Sequence, residues 1–272
     1  MKRLAPAQAV IYSLLFLIYL PLDDRGWTQV SAVFWMPVSL FHLLPGPPRN
    51  AALIGALEIL WKLSLLTSAI GLLSRISMVT AAALGFFLLG LPNCFGKIHH
   101  LDGFPVLLLA ILAAGALWHG RSSQDDWPVR LAQALFLLVF FAAGYAKLRH
   151  SGLAWMTASN MRDIWLGELF THTPPTALAS YLARYAWLCQ LGAMGTVAIE
   201  LSALPAIFIR RLRPFTLAGL FGLQAMIALM LGVYFTPHLA GYALFLPWDR
   251  YFPRFSRRKP DTVPACNPLS LS

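Results

Sequence analysis

Lys147 is the residue whose surroundings most invite chemistry. It closes the run Phe140-Phe141-Ala142-Ala143-Gly144-Tyr145-Ala146-Lys147-Leu148, in which Ala142, Ala143, Gly144 and Ala146 are small. Small side chains let helices pack closely in membranes. An amine drawn into such a contact loses hydration, which favours its neutral form and makes it a base or a nucleophile. The plainer alternative is a lysine whose stem lies in lipid while its ammonium reaches the interface.

A second dense segment, Phe95-Gly96-Lys97-Ile98-His99-His100-Leu101-Asp102-Gly103, gathers a lysine, two histidines and an acid at the edge of an apolar run. Vicinal histidines point apart on a helix or a strand, and no His-x₃-His spacing is present, so no metal site is assigned. As general acids or bases, or as groups contacting a quinone, His99 and His100 are better placed, because imidazole titrates near neutral pH.

Three further charges fall where lipid is expected. Glu58 and Lys62 stand four residues apart on one helical face, a spacing at which they can pair directly. Glu200 has no oppositely charged neighbour in sequence, so it needs a partner on another helix or a proton. Charges inside a membrane normally face the bundle interior, as structural pairs or as parts of a site.

The elements that must position these groups are membrane spans. Hydrophobic residues make up 58% of the 272 residues and charged residues 12%, against about 45–50% and 25% in soluble domains. Mean hydropathy is +0.65. About 20 apolar residues cross a bilayer, which marks Ala51–Leu72, Ile76–Pro92, Phe104–Trp118, Val129–Leu148, Tyr181–Ile209 and Phe215–Phe235 as spans. Pro6–Leu20, Val30–Leu44 and His238–Trp248 are shorter, and Pro37 makes Val30–Leu44 interfacial or re-entrant. The reading is an all-α, polytopic transmembrane helical bundle of about 6–8 spans. It forms one domain over 1–255, followed by a basic, disordered cytoplasmic tail over 256–272. Trp155–Leu166 reads as an interfacial amphipathic helix, with Ser159 or Asn160 as cap and Trp155 and Trp165 as belt anchors.

The net charge of +10 does not point to nucleic acid, because Lys2, Arg3, Arg210, Arg211, Arg213 and the tail flank apolar runs. That is the distribution of cytoplasmic flanks, so residues 92–103 and 149–180 are expected to face outward. Asp23 and Asp24 replace the small-residue cleavage site of a signal peptide, so the first run reads as a retained span. Cys94, Cys189 and Cys266 give no C-x-x-C motif. No phosphate loop, dinucleotide fingerprint, nucleophile elbow or His-Glu-x-x-His is present.

The aromatic-x-Ala-Gly-x-x-Lys-Leu core at Phe141–Leu148, followed by Gly152-Leu153-Ala154-Trp155, resembles the HTTM (horizontally transferred transmembrane) domain family. That family comprises bacterial membrane-domain relatives of vitamin K-dependent gamma-carboxylase. Gly96–His100 resembles its histidine-containing region, and Pro247-Trp248-Asp249-Arg250 its ending. The resemblance implies a bundle in the bacterial plasma membrane with a site on the non-cytoplasmic side. It further implies that Lys147 deprotonates a reduced, vitamin K-like quinone, with His100 or His99 assisting and Lys97, Trp155 and Tyr145 nearby. The chain is shorter than the carboxylase and lacks its large extramembrane part, so the substrate stays open. Three readings follow: a quinone-linked carboxylase-like enzyme or oxidoreductase, a non-catalytic membrane module serving a partner protein, and a small proton-coupled transporter built on Glu58, Lys62 and Glu200.

Overall fold

One helix shows how the whole chain solves its packing problem. The Asn50 side chain accepts from the Leu53 amide at 3.0 Å and caps α2, Ala51–Ala69. Its 19 residues span about 28 Å, close to the hydrocarbon thickness of a bilayer. Ile54, Glu58, Trp61, Leu65 and Ser68 are buried, whereas Leu53, Ile59, Leu60 and Leu63 stand exposed. Polar groups inside and leucines outside is an arrangement that lipid stabilises and water does not.

The structure is a computed structural model and describes residues 6–96, 100–118, 127–167 and 176–248, with no strand among them. In chain order the helices are α1 (Pro6–Tyr19), α2 (Ala51–Ala69), α3 (Ser74–Gly90), α4 (His100–Trp118), α5 (Trp127–Ser151) and α6 (Ala158–Trp165). They are followed by α7 (Ala177–Leu182), α8 (Ala186–Leu201), α9 (Ala203–Phe208), α10 (Arg213–Leu231) and α11 (Leu239–Ala243). Among the described residues, five segments are long and apolar enough to cross a membrane: Ala51–Ala69, Arg75–Phe95, Trp127–Met156, Ala186–Phe208 and Arg213–Leu231. Ala7–Tyr19 and Asp102–Trp118 are apolar but shorter. The chain is a multi-pass membrane protein.

Helices α1 to α5 pack in sequence order, each on the next, except that a long connection separates α1 from α2. Helix α5 then packs on α8 and α9, α8 carries α6 and α10, and α11 folds back on α1. The buried core runs through α1–α5 and is completed by Ala203, Ala206, Leu220, Ala240 and Leu244.

Three of the apolar segments form short or broken helices. Val30–Leu44 does not cross: it forms 3₁₀ turns at Ala32–Phe34 and Ser39–Leu43 that cap the end of α3. The Met36 amide donates to the Cys94 carbonyl at 2.7 Å, and Trp35 packs edge-on against Phe95 and Phe41. His238–Trp248, expected to return the chain across the membrane, holds only the 5-residue α11, about 8 Å long. Tyr181–Ile209 is not continuous either, breaking between α7 and α8 and again at Ser202. The expected tail lies outside the described residues.

The bundle has two unlike ends. Arg75, Arg130, Arg210, Arg211 and Arg213 gather where α2 meets α3, where α5 begins and where α9 turns into α10. The opposite end holds the α1–α2 connection, the start of α4 and the C-terminal turn of α5, which carries Lys147.

Candidate functional site

Gly144 and Glu200 explain where Lys147 points. Helices α5 and α8 run antiparallel, and a Cβ built on Gly144 would lie 2.8 Å from the Glu200 Cβ and 3.3 Å from the Leu201 amide nitrogen. The absent side chain lets α8 approach closely. One turn further along α5, the Lys147 ammonium then reaches the Glu200 carboxylate in a direct ion pair. The Glu200 side chain is 7% exposed and that of Lys147 23%, so the acid is the deeper partner. Its second oxygen, Oε2, is buried without a hydrogen-bond partner.

On its other side the ammonium lies 4.8 Å from the centre of the Trp155 ring, within cation–π range. Trp155 belongs to the 3₁₀ turn Gly152–Met156, and α8 holds this turn in place. The Gln190 amide donates to the Met156 carbonyl at 2.5 Å and accepts from the Ala158 amide at 3.1 Å. Asn160 Nδ2 adds a bond to the Trp155 carbonyl at 2.9 Å. The cap of α6 is Thr157, whose hydroxyl accepts from the Asn160 amide, rather than Ser159 or Asn160. Helix α6 is amphipathic as expected, but it lays Met161 on Cys189 and Ala193 of α8. Trp165 packs on Gly192 instead of reaching outward as an anchor.

Lys147 and Trp155 form the polar end of a cavity of about 530 Å³ between α8 and α10, closed on one side by α6. That volume lies within the range of small-molecule sites. The rest of the lining is apolar, with Thr196 already bonded to the Gly192 carbonyl at 2.8 Å. Leu191 and Met226 line the cleft and are themselves exposed, so it opens on the flank of the bundle. Gly195 and Gly222 face open space. Nothing in the charged or aromatic segments points to these walls; their signal in the sequence is a Gly-x-x-Gly spacing on each helix, Gly192/Gly195 and Gly219/Gly222.

The chain matches no family model, no curated protein and no solved structure. Function therefore has to be argued from the site itself.

The other expected residues distribute as follows. Tyr145 is 52% exposed, stacks on Phe141 and does not line the cavity. His100 begins α4, which packs on α3 and α5 and contributes no residue to the cavity lining. Its side chain, and all of Lys97 and His99, lie outside the described residues. Glu58 and Lys62 make no pair with each other: the Glu58 carboxylate accepts from the Asp24 amide, and Lys62 Nζ donates to the Leu22 carbonyl at 2.8 Å. Both reach the polar backbone that follows α1, which offers them a partner apiece.

Around them is a second polar cluster, where the end of α1 and the start of α4 meet the middle of α2. The Tyr19 hydroxyl donates to Asp102 Oδ1 at 2.5 Å. Asp24, beyond the end of α1, is 3% exposed, and its Oδ2 has no hydrogen-bond partner. Burial, reinforced by the negative charge of Glu58, pushes its carboxyl up to about 7. Among the described residues no three His, Cys, Asp or Glu side chains converge as metal ligands.

Proposed function

We propose that the chain binds an amphiphile of the reduced-quinone type in the α8–α10 cavity, and that Lys147 and Glu200 together move a proton at its polar head. One arrangement carries the reading. A half-buried lysine stands at the single polar end of an apolar cavity, with a carboxylate directly behind it. Apolar walls suit the tail of such a ligand, and the Trp155 face suits a flat, polarisable head group.

The chemistry follows from the pair. When the shared proton resides on Glu200, the Lys147 amine is a base open to the cavity. It accepts the proton of a ligand hydroxyl, and the ammonium so formed stays beside the oxygen it has deprotonated. The ammonium and the oxyanion it has formed balance each other, and Glu200, which keeps its proton, adds no second negative charge to the low-dielectric site. This is the role that the HTTM resemblance gives a lysine at this position, with His99 or His100 assisting. Carboxylase-like or oxidoreductase chemistry would follow on the same head group. By the distribution of arginines, the basic end faces the cytoplasm of a bacterial plasma membrane and Lys147 lies toward the other side.

Trp155 and Trp165 line or border the cavity and provide the test. A short-tailed naphthoquinone added to the detergent-solubilised protein should quench tryptophan fluorescence saturably. Its apparent affinity should fall at least tenfold in Gly195→Leu, which fills the cavity. Equal quenching in that variant would end the proposal.

A second reading rests on the close contact of Gly144 with Glu200: the pair is a clamp between α5 and α8, in a module without catalysis that serves a partner. A Lys147→Met/Glu200→Leu variant that folds and remains fully functional in cells would select it. For the transporter reading Glu58 and Lys62 offer no pair, since each bonds to backbone that follows α1, and Glu200 is the charge that remains to support it.

A further inference from the structure

A second cavity, of about 290 Å³, opens at the basic end of the bundle, far along α5 from Lys147. Arg130 and Gln133 of α5, Arg210 and Arg213 at the α9–α10 turn, and Phe245 beyond α11 line it, together with Leu137 and Ile207. Three guanidinium groups thus face one space whose lining, among the described residues, contains no carboxylate.

Their states differ. Arg213 is fixed: its Nε and Nη2 donate to the carbonyls of Ala206 at 2.9 Å and Ile207 at 2.6 Å, where α9 ends. Arg130 and Arg210 are exposed and make no hydrogen bond or ion pair with another described residue. Helix α10 starts at the same place, and no side chain caps its N-terminus, so its first amides and its dipole add to the positive potential. Gln133 spends its amide nitrogen on the Leu244 carbonyl at 2.7 Å and so tethers the segment after α11 to this wall. A space with three convergent guanidinium groups and, among the described residues, no carboxylate to pair with them suits an anion, and guanidinium groups suit phosphate oxygens.

We propose that this cavity holds the phosphate head group of an anionic phospholipid. A lipid is favoured over a free anion by the walls: Leu137, Ile207 and Phe245 offer an acyl chain an apolar bed directly beneath the arginines. The arginines themselves sit where α5 begins and α10 begins, which is head-group depth for a spanning helix. Basic pockets between helices at a membrane surface recognise lipids in this way. The proposal does not depend on the Lys147 site.

The test uses the full chain in detergent micelles, following thermal unfolding as phosphatidylglycerol is titrated in. Phosphatidylglycerol should raise the midpoint saturably, and phosphatidylcholine should not. Arg130→Gln and Arg210→Gln should each weaken the apparent affinity about 5-fold, and Arg75→Gln, at the same end of the bundle but outside the cavity lining, should leave it unchanged. A second measurement needs no variant: native mass spectrometry of the unaltered protein should retain phosphatidylglycerol adducts in preference to phosphatidylcholine. Equal effects of the two lipids, or full affinity in the double glutamine variant, would overturn the proposal. A shift of the same size with millimolar inorganic phosphate would overturn the lipid assignment and make this a free-anion site.

Discussion

The Lys147 ammonium and the Glu200 carboxylate, 53 positions apart in the chain, are in direct contact between α5 and α8. The contact joins two charges that neither helix could hold alone in lipid, and it sets the terms for what each substitution there will do.

Lys147→Met should destabilise more than Glu200→Gln. Removing the amine strands a carboxylate whose Oε2 already lacks a partner, and breaking a buried pair costs about 3–5 kcal/mol. Removing the acid leaves an ammonium that keeps the Trp155 face and some access to the cavity, so about half that loss is expected. Lys147→Met/Glu200→Leu should recover much of the stability. Thermal unfolding in mild detergent closes the cycle. Additivity within about 0.5 kcal/mol would mean that the two residues do not interact.

Gly144→Ala tests the approach of the helices rather than the charges. The new methyl would meet the Glu200 Cβ at 2.8 Å and backbone at 3.3 Å, and although the Glu200 Oε2, also at 3.3 Å, can yield, those two cannot without moving the helix. A loss of about 1–3 kcal/mol is expected, along with a weakened pair. A fully stable variant with normal quinone quenching would show that the close approach is dispensable.

Gly195→Leu and Gly222→Leu should behave in the opposite manner. A Cβ at either position meets nothing within 4 Å, so both proteins should fold with midpoints near the parent's. Both fill the α8–α10 cavity, and quinone quenching should fall at least tenfold in apparent affinity, a loss of about 1.4 kcal/mol.

Asp24 makes stability depend on pH. Burial and then Glu58 raise its carboxyl to about 7 in the folded protein, opposed by a hydrogen bond with Trp27 and helped to a smaller extent by Asp102 and Asp23. Lys62 and Arg25 stand nearby, but Lys62 is bonded to Leu22 and Arg25 to Asp23. A folded carboxyl raised above its unfolded value of 3.8 stabilises fully below that value. The contribution is then lost as pH climbs through about 7. The parent should therefore lose stability between about pH 4 and 7, by a few kcal/mol at most. Asp24→Asn should flatten that decline and be the more stable protein at pH 8. Parallel pH profiles for the two would show that Asp24 ionises freely.

The sequence alone determined that the chain lives in lipid, because a span is a one-dimensional count of apolar residues that the bilayer's thickness imposes. It also marked Val30–Leu44 as interfacial or re-entrant, since Pro37 interrupts the run, and required for Glu200 a proton or a partner on another helix. Only the tertiary structure decided which. Glu200 takes Lys147, Glu58 takes the Asp24 amide instead of the lysine one turn away, and Trp155 and Trp165 turn toward α8 and its cavity. Spacing along a chain specifies neighbours on one helix. Neighbours on different helices depend on how closely and in what register two helices meet, and here a missing side chain at Gly144 sets that register.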